Sequence, residues 1–202
     1  ARHFYVMRDY LRKRLNYKPA PVFESALSVL DEVSSTDDLA RKLLGMQLMI
    51  EPIAITIFRF IRKSKVDPIL NELLEYFEAD EARHIAIGMK YLPNLIKKMG
   101  AWDKIMFVWW QIRMINGEIK GLKAIEADLV KLGLDPLEVF EFAEIKQVTC
   151  LKMLSKDMGI GDEMWKPVLK IIRFRKRLAF YPDEKHGPLQ RLINSFFEIF
   201  RD

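Results

Sequence analysis

The tripeptide Ala-Arg-His occurs twice in this chain, as residues 1–3 and again as residues 82–84. A Tyr-Leu pair follows each copy at the same distance, at residues 10–11 and 91–92. Self-similarity at a fixed offset indicates an internal repeat. In a helix, Glu81 and His84 lie three residues apart, so they project from one face and can bind the same metal ion. The repeat therefore predicts two helices that present matching polar elements to each other.

The first copy of this element is incomplete. Glu81 precedes the second copy by one residue, whereas the matching position before Ala1 lies outside the sequence. We therefore expect the chain to begin inside a helix of a longer protein, with a glutamate just before Ala1 and one more helix upstream. That upstream helix is expected to cover the apolar side chains of Ile50, Ile53 and Ile57.

Composition excludes several classes of protein. Half of the 202 residues are apolar, which is typical of a globular chain rather than a disordered one. The most apolar runs, residues 53–58 and 105–112, are too short to cross a bilayer, so we expect no transmembrane segment. The single cysteine, Cys150, excludes an internal disulfide and favours a cytoplasmic location. The net charge of +5 is modest, and we expect no nucleic-acid partner.

Apolar side chains recur at helical spacing along the whole chain, and no segment alternates long enough to predict a strand. Start and stop signals predict helices over about 1–16, 22–33, 38–63, 67–99, 102–132, 136–158, 162–180 and 188–200. The clearest start is Asp67-Pro68, with the aspartate as cap and the proline in the first turn. The predicted fold class is all-α, with a bundle in residues 1–100 and additional helices in residues 101–202 packed on it.

Glu51 is the only acidic residue between Asp38 and Asp67. An unpaired carboxylate buried in this apolar segment would cost several kcal/mol, and a metal cation is its natural partner. Two other interpretations remain open: a pair with a core arginine such as Arg83, or a position at a solvent-facing edge of the helix. Glu78, one turn before Glu81, is a spare ligand or a surface acid, and we favour the surface acid.

Neighbouring charges can orient the proposed ligands. A ligating imidazole normally donates its second N–H to a carboxylate. Asp80 points about 100° away from Glu81 around the helix, so it can reach the histidine of the facing helix, which is His3. Arg2 and Arg83 can cross-pair with Asp80 and with its missing counterpart upstream.

Glu51, Glu81-x-x-His84 and His3 resemble the ligand pattern of the ferritin-like di-iron carboxylate superfamily, over residues 3 to about 92. The resemblance implies a ferritin-like four-helix bundle whose first helix and start of the second are missing from this chain. It also implies two iron ions, or an iron–manganese pair, that react with O2 or peroxide. In that arrangement Glu81 and the absent glutamate bridge the metals, His3 and His84 bind one each, and Glu51 is a terminal carboxylate.

The spacing of these ligands looks more like the desaturase and oxygenase branches than the compact ferritins. Met7 occupies the place of the radical tyrosine in ribonucleotide reductase small subunits, which disfavours that chemistry. Ala54 occupies the place where desaturases tend to carry a threonine, which disfavours that branch as well.

We therefore expect an O2-activating di-iron oxidoreductase with Glu51 and Glu81 as catalytic residues. Its substrate is expected to be a small hydrophobic organic molecule, and the sequence does not identify its electron donor. One alternative is a ferroxidase or peroxide-scavenging protein similar to ferritin or rubrerythrin, and another is a metal-free helical interaction module. The aromatic-rich segment 102–110 is expected to pack in the core; a substrate channel or a homodimer interface are the other options.

Overall fold

The computed structural model describes residues 2–17, 24–158, 162–180 and 186–198, and these residues are helical with no strand, so the all-α prediction is confirmed. The longer elements are α1 (Arg2–Lys13), α2 (Glu24–Ser35), α3 (Leu39–Ser64), α4 (Pro68–Lys97), α5 (Ala101–Ala124), α6 (Glu126–Lys131), α7 (Pro136–Met158), α8 (Lys166–Phe180) and α9 (Pro188–Glu198). A short 3-10 turn, Asp162–Trp165, precedes α8.

Side-chain caps fix two of the helix starts. The Asp38 carboxylate accepts hydrogen bonds from the backbone N–H groups at the start of α3, and Asp67 does the same for α4. Pro68 lies in the first turn, as predicted. The predicted helix over 102–132 is instead divided at Ile125, whose φ of −98° and ψ of 4° interrupt the helical ladder between α5 and α6.

α3 and α4 form an antiparallel hairpin that positions the candidate site. Arg59 and Arg62 pair with Glu78 near the loop, and Gln47 approaches Gly88 at the far end. A Cβ on Gly88 would lie 2.8 Å from the Gln47 Cβ, so this glycine lets the two helices come close together. The close approach at Gly88 also brings the preceding turn of α4, which contains His84, against Glu51 in the middle of α3.

α1 runs antiparallel to α4. Its N-terminal end contacts the middle of α4, where the His3 ring stacks on Phe77 at a centroid distance of 4.2 Å. Its C-terminal end contacts the start of α4, where Arg14 donates a 3.2 Å hydrogen bond to Asp67. Tyr10 is buried between these contacts, and burial raises the pKa of its phenol, with a smaller contribution from Asp67. These contacts place His3 beside Glu81.

The remaining helices build the core around this hairpin. α7 packs on both α3 and α4, α5 packs on α2 and on α3, and α8 packs on α5. One core cluster includes side chains from residues 1–100 and from 101–202, and the division into two domains stays a prediction. Phe107 and Trp110 are buried in the core, as expected, whereas Trp102 and Trp109 are exposed.

α3 also has the length and composition of a membrane-spanning helix, with a mean hydropathy of 1.5 over its most apolar window, half of which is buried. The sequence analysis considered only shorter runs and missed this property. Core helices of globular proteins share it, so the cytoplasmic location and the absence of a membrane span stay predictions.

Candidate metal centre

Glu51 lies at a change of helix type within α3. The turns before it, Leu43–Ile50, are π-helical, and the Glu51 N–H donates to the Met46 carbonyl five residues back. Pro52 supplies a physical reason: it has no N–H, and its ring would clash with the carbonyl four residues back in α-helical geometry. A π-helical turn widens the helix and relieves that clash. The glutamate is therefore placed by the irregular turn that the following proline favours.

Glu51 and the Glu-x-x-His element of α4 meet across the hairpin. The His84 Nδ1 lies 2.9 Å from the Glu81 Oε2 and 3.3 Å from the Glu51 Oε1. One ligand atom from each of the three side chains lies within 4.8 Å of the others, which is close enough to surround one metal ion. The Glu51 side chain is 9% exposed and that of His84 is 47% exposed, so the group opens to solvent on the histidine side.

His3 approaches the same glutamate from α1. Its Nδ1 lies 3.0 Å from the Glu81 Oε1, which is the oxygen that does not face His84. Its other ring nitrogen, Nε2, lies 3.0 Å from the Asp80 Oδ2. Glu81 therefore stands between two histidines and offers one oxygen to each.

Asp80, next to Glu81, is surrounded by charged and ionisable side chains. It is buried, and both Arg2 and Arg83 donate hydrogen bonds to it while His3 faces it. The two copies of the repeated Arg-His pair thus converge on one Asp-Glu pair, since each copy contributes an arginine to Asp80 and a histidine to Glu81. The sequence analysis assigned one of these arginines to the missing counterpart of Asp80, whereas here both contact Asp80 itself.

The electrostatics of Glu51 suit a cation. Burial and, to a smaller extent, the nearby Glu81 charge raise the pKa of Glu51 to about 7, although His84 opposes the shift. Its second oxygen, Oε2, is buried without a hydrogen-bond partner among the described residues. A buried, unpartnered carboxylate oxygen is costly, and a bound cation would remove that cost. The donor set of carboxylates and imidazoles fits iron, manganese or zinc.

The alternatives for the acidic residues can now be compared with the contacts. Glu51 does not pair with Arg83, because that arginine binds Asp80. Glu78 binds Arg59 and Arg62 at the edge of the hairpin, so it lies away from the cluster. His186 lies at a bend before α9, and the Cys150 side chain falls outside the described residues.

Two features of the region were not anticipated. The π-helical turns before Glu51 have no sequence signal other than Pro52. The face of Ile50, Ile53 and Ile57, which we expect an upstream helix to cover, borders α2 and α5, and a partly open cavity remains between them. Glu118 of α5 lines that cavity, and the sequence analysis did not single it out.

In comparisons with known proteins, the chain matches no family model, no curated protein and no solved structure. The interpretation of the cluster therefore depends on its own contacts.

Proposed function

We propose that this chain is a ferritin-like di-iron protein that activates O2 to oxidise a small hydrophobic organic substrate. The observation that carries the proposal is the position of Glu81, whose two oxygens face the two histidines at 3.0 and 2.9 Å. A carboxylate between two imidazoles can bridge two cations, each of which also receives a histidine.

Four side chains would hold the metals. The first ion would be bound by His3 and one Glu81 oxygen. The second would be bound by His84, Glu51 and the other Glu81 oxygen. Two iron ions, or an iron–manganese pair, would supply the redox chemistry that reaction with O2 or peroxide requires, with electrons from an external donor. Asp80 orients the His3 ring through the nitrogen that does not face Glu81. Arg2 and Arg83 hold Asp80 in place.

The surface beside the cluster supports a hydrophobic substrate. Ile87 and Tyr91 lie on the same face of α4 as His84 and are 45% and 52% exposed. Apolar side chains that continue from the open side of the cluster can bind the hydrocarbon part of a substrate and exclude water from the metal-facing side.

The exposure of His84 favours one alternative, a metal-handling protein that oxidises iron or removes peroxide without an organic substrate. Such a protein needs its site open to ions from solvent, and a histidine side chain that is 47% exposed permits this entry. The same ligands serve both functions, so substrate dependence separates them.

Reconstitution with Fe(II), followed by elemental analysis, tests the metal centre. We expect about two iron ions per chain, and a content near zero would contradict both functions and leave a metal-free helical interaction module. O2 consumption is then measured with and without hydrophobic substrates. Consumption that rises with an organic substrate supports the oxidoreductase, whereas consumption that depends only on added Fe(II) supports the metal-handling protein.

A further inference from the structure

The cavity over the isoleucine face of α3 has a volume of about 210 Å³. Three isoleucines of α3, at positions 50, 53 and 57, form one wall, and α2 and α5 form the others. These isoleucines lie roughly 100–160° around the helix from Glu51, so the cavity and the metal cluster face different ways. An apolar cavity of about 150 Å³ is enough to bind benzene, so this one can hold a short hydrocarbon.

The floor of the cavity depends on two glycines of α5. A Cβ on Gly117 would lie 2.3 Å from the Val29 Cγ2, so this glycine allows α2 to approach α5 closely. A Cβ on Gly121 would meet no atom within 4 Å. The empty space above Gly121 is therefore part of the cavity.

Glu118 is the only charged side chain that lines this cavity in the described residues. One of its oxygens accepts a 3.1 Å hydrogen bond from the Gln147 Nε2, and that nitrogen also donates to the Met49 carbonyl at 3.2 Å. Both amide hydrogens of Gln147 are thereby used. The other oxygen, Oε1, is buried and has no hydrogen-bond partner in the described residues. The cavity thus has an almost wholly apolar lining, and one unsatisfied acidic oxygen is buried in its wall.

We propose that this cavity binds a primary alkylamine, whose ammonium group pairs with the Glu118 carboxylate while its hydrocarbon chain lies against Ile50, Ile53 and Ile57. An ammonium group supplies the hydrogen-bond donors and the charge that the unpartnered oxygen lacks. The isoleucine wall accepts only the apolar part of the ligand. This site needs no metal, and the proposal does not rest on the proposed function.

Chain length gives the first quantitative expectation. Each CH2 group buried against the isoleucines contributes about fourfold to affinity. We expect hexylamine to bind one molecule per chain and butylamine to bind roughly 15-fold more weakly, because two CH2 groups are lost.

A titration of the metal-free protein with hexylamine, followed by isoleucine methyl NMR and calorimetry at pH 8, tests the proposal. Burial raises the pKa of Glu118 to about 7, so the carboxylate is mainly ionised at pH 8. We expect shifts of the Ile50, Ile53 and Ile57 methyl signals and none for Ile172, which lies in the core of α8. Shifts spread over all isoleucines, or none at these three, would overturn the proposal without any mutation.

Two substitutions test separately the contribution of the Glu118 charge and that of the cavity volume to ligand binding. Glu118→Gln keeps the shape of the cavity wall and should weaken the binding of hexylamine at least tenfold. The affinity for hexan-1-ol should change less than threefold. Gly121→Leu fills the empty space and should abolish the binding of both. Thermal unfolding shows whether each variant is folded. Equal affinity of the wild type for hexan-1-ol and hexylamine would show that Glu118 does not act as an anchor, and undiminished binding by Gly121→Leu would place the ligand elsewhere.

Discussion

A glutamate is buried at each of two faces of α3, and the two glutamates have different surroundings. Glu51 faces a cluster of ionisable groups that contact one another, with Glu81, His84, His3 and Asp80 within hydrogen-bond distance of a neighbour. Glu118 of α5 faces the apolar wall formed by the next face of α3 and has one polar contact, with Gln147. The pKa of each glutamate is raised to about 7, chiefly by burial. Similar titration can therefore accompany very different surroundings, and the surrounding donors indicate which ligand each site binds.

The largest expected difference between the two faces is in metal affinity. Glu81→Ala should abolish the dimetal centre, because the oxygens that face His3 and His84 are both removed. The loss in affinity should exceed the roughly 10- to 100-fold cost of losing an outer partner of a metal ligand. Iron content after reconstitution measures it.

Two glutamates serve as controls for this variant. Glu78→Ala removes a carboxylate one turn away that binds Arg59 and Arg62, and Glu118→Gln alters the α5 side chain opposite the other face of α3. Both should keep the wild-type iron content. A loss of iron in Glu118→Gln equal to that in Glu81→Ala would show that the two faces do not act separately.

The second prediction concerns stability and pH on the apolar face. The pKa of Glu118 is about 7 in the folded chain and 4.5 for an ordinary glutamate, so the folded state holds its proton more tightly. The stability from this proton is fully present below pH 4.5 and is lost as pH rises to about 7, with a total of about 3 kcal/mol. Glu118→Gln should remove this dependence. Urea unfolding of the metal-free protein at several pH values, compared between wild type and variant, measures it. A constant difference from pH 4 to 8 would mean that the carboxylate is well solvated.

Asp80→Asn should have an intermediate effect on the metal face. The amide keeps the shape of the side chain but loses the charge that holds Arg2, Arg83 and the His3 ring. Metal affinity should fall about 10- to 100-fold, with the stoichiometry retained at saturating iron. Complete loss of iron at saturation would make Asp80 a ligand rather than an orienting residue.

The fold was more accessible from the sequence than the details of either site. Caps at Asp38 and Asp67 and the helical spacing of apolar residues predict most helix boundaries, because these signals are local. The repeated Arg-His pair predicted that His3 faces Asp80, since a repeat carries long-range information, and in the structure both His3 and Arg2 contact Asp80.

Two features depended on packing that no local pattern reveals. Glu118 lies in a segment with ordinary helical charge spacing, and the approach of α2, α3 and α7 to α5 buries it. The π-helical turns before Glu51 follow from the way Pro52 strains one turn of a packed helix. Gly117 and Gly121 lie in the same predicted helix, and their different surroundings depend on how closely α2 approaches α5.

The smallest predicted effect uses that pair of glycines to test the packing on the apolar face. Gly121→Ala should stabilise the protein by up to about 1 kcal/mol, because the new methyl group meets open space and alanine favours helix. Gly117→Ala should instead destabilise it by about 1–3 kcal/mol, because its methyl group would overlap Val29. Thermal unfolding of both variants gives the comparison, and equal shifts in Tm would contradict the close approach of α2 to α5.

The most direct test of the metal centre is a crystal structure of the iron-loaded protein with anomalous scattering measured at the iron absorption edge. The account predicts two peaks on either side of Glu81, one about 2 Å from the His84 Nδ1 and one about 2 Å from a ring nitrogen of His3. A well-ordered Glu81 that contacts both histidines directly, with no anomalous peak between them, would contradict the assignment of this cluster as a dimetal site.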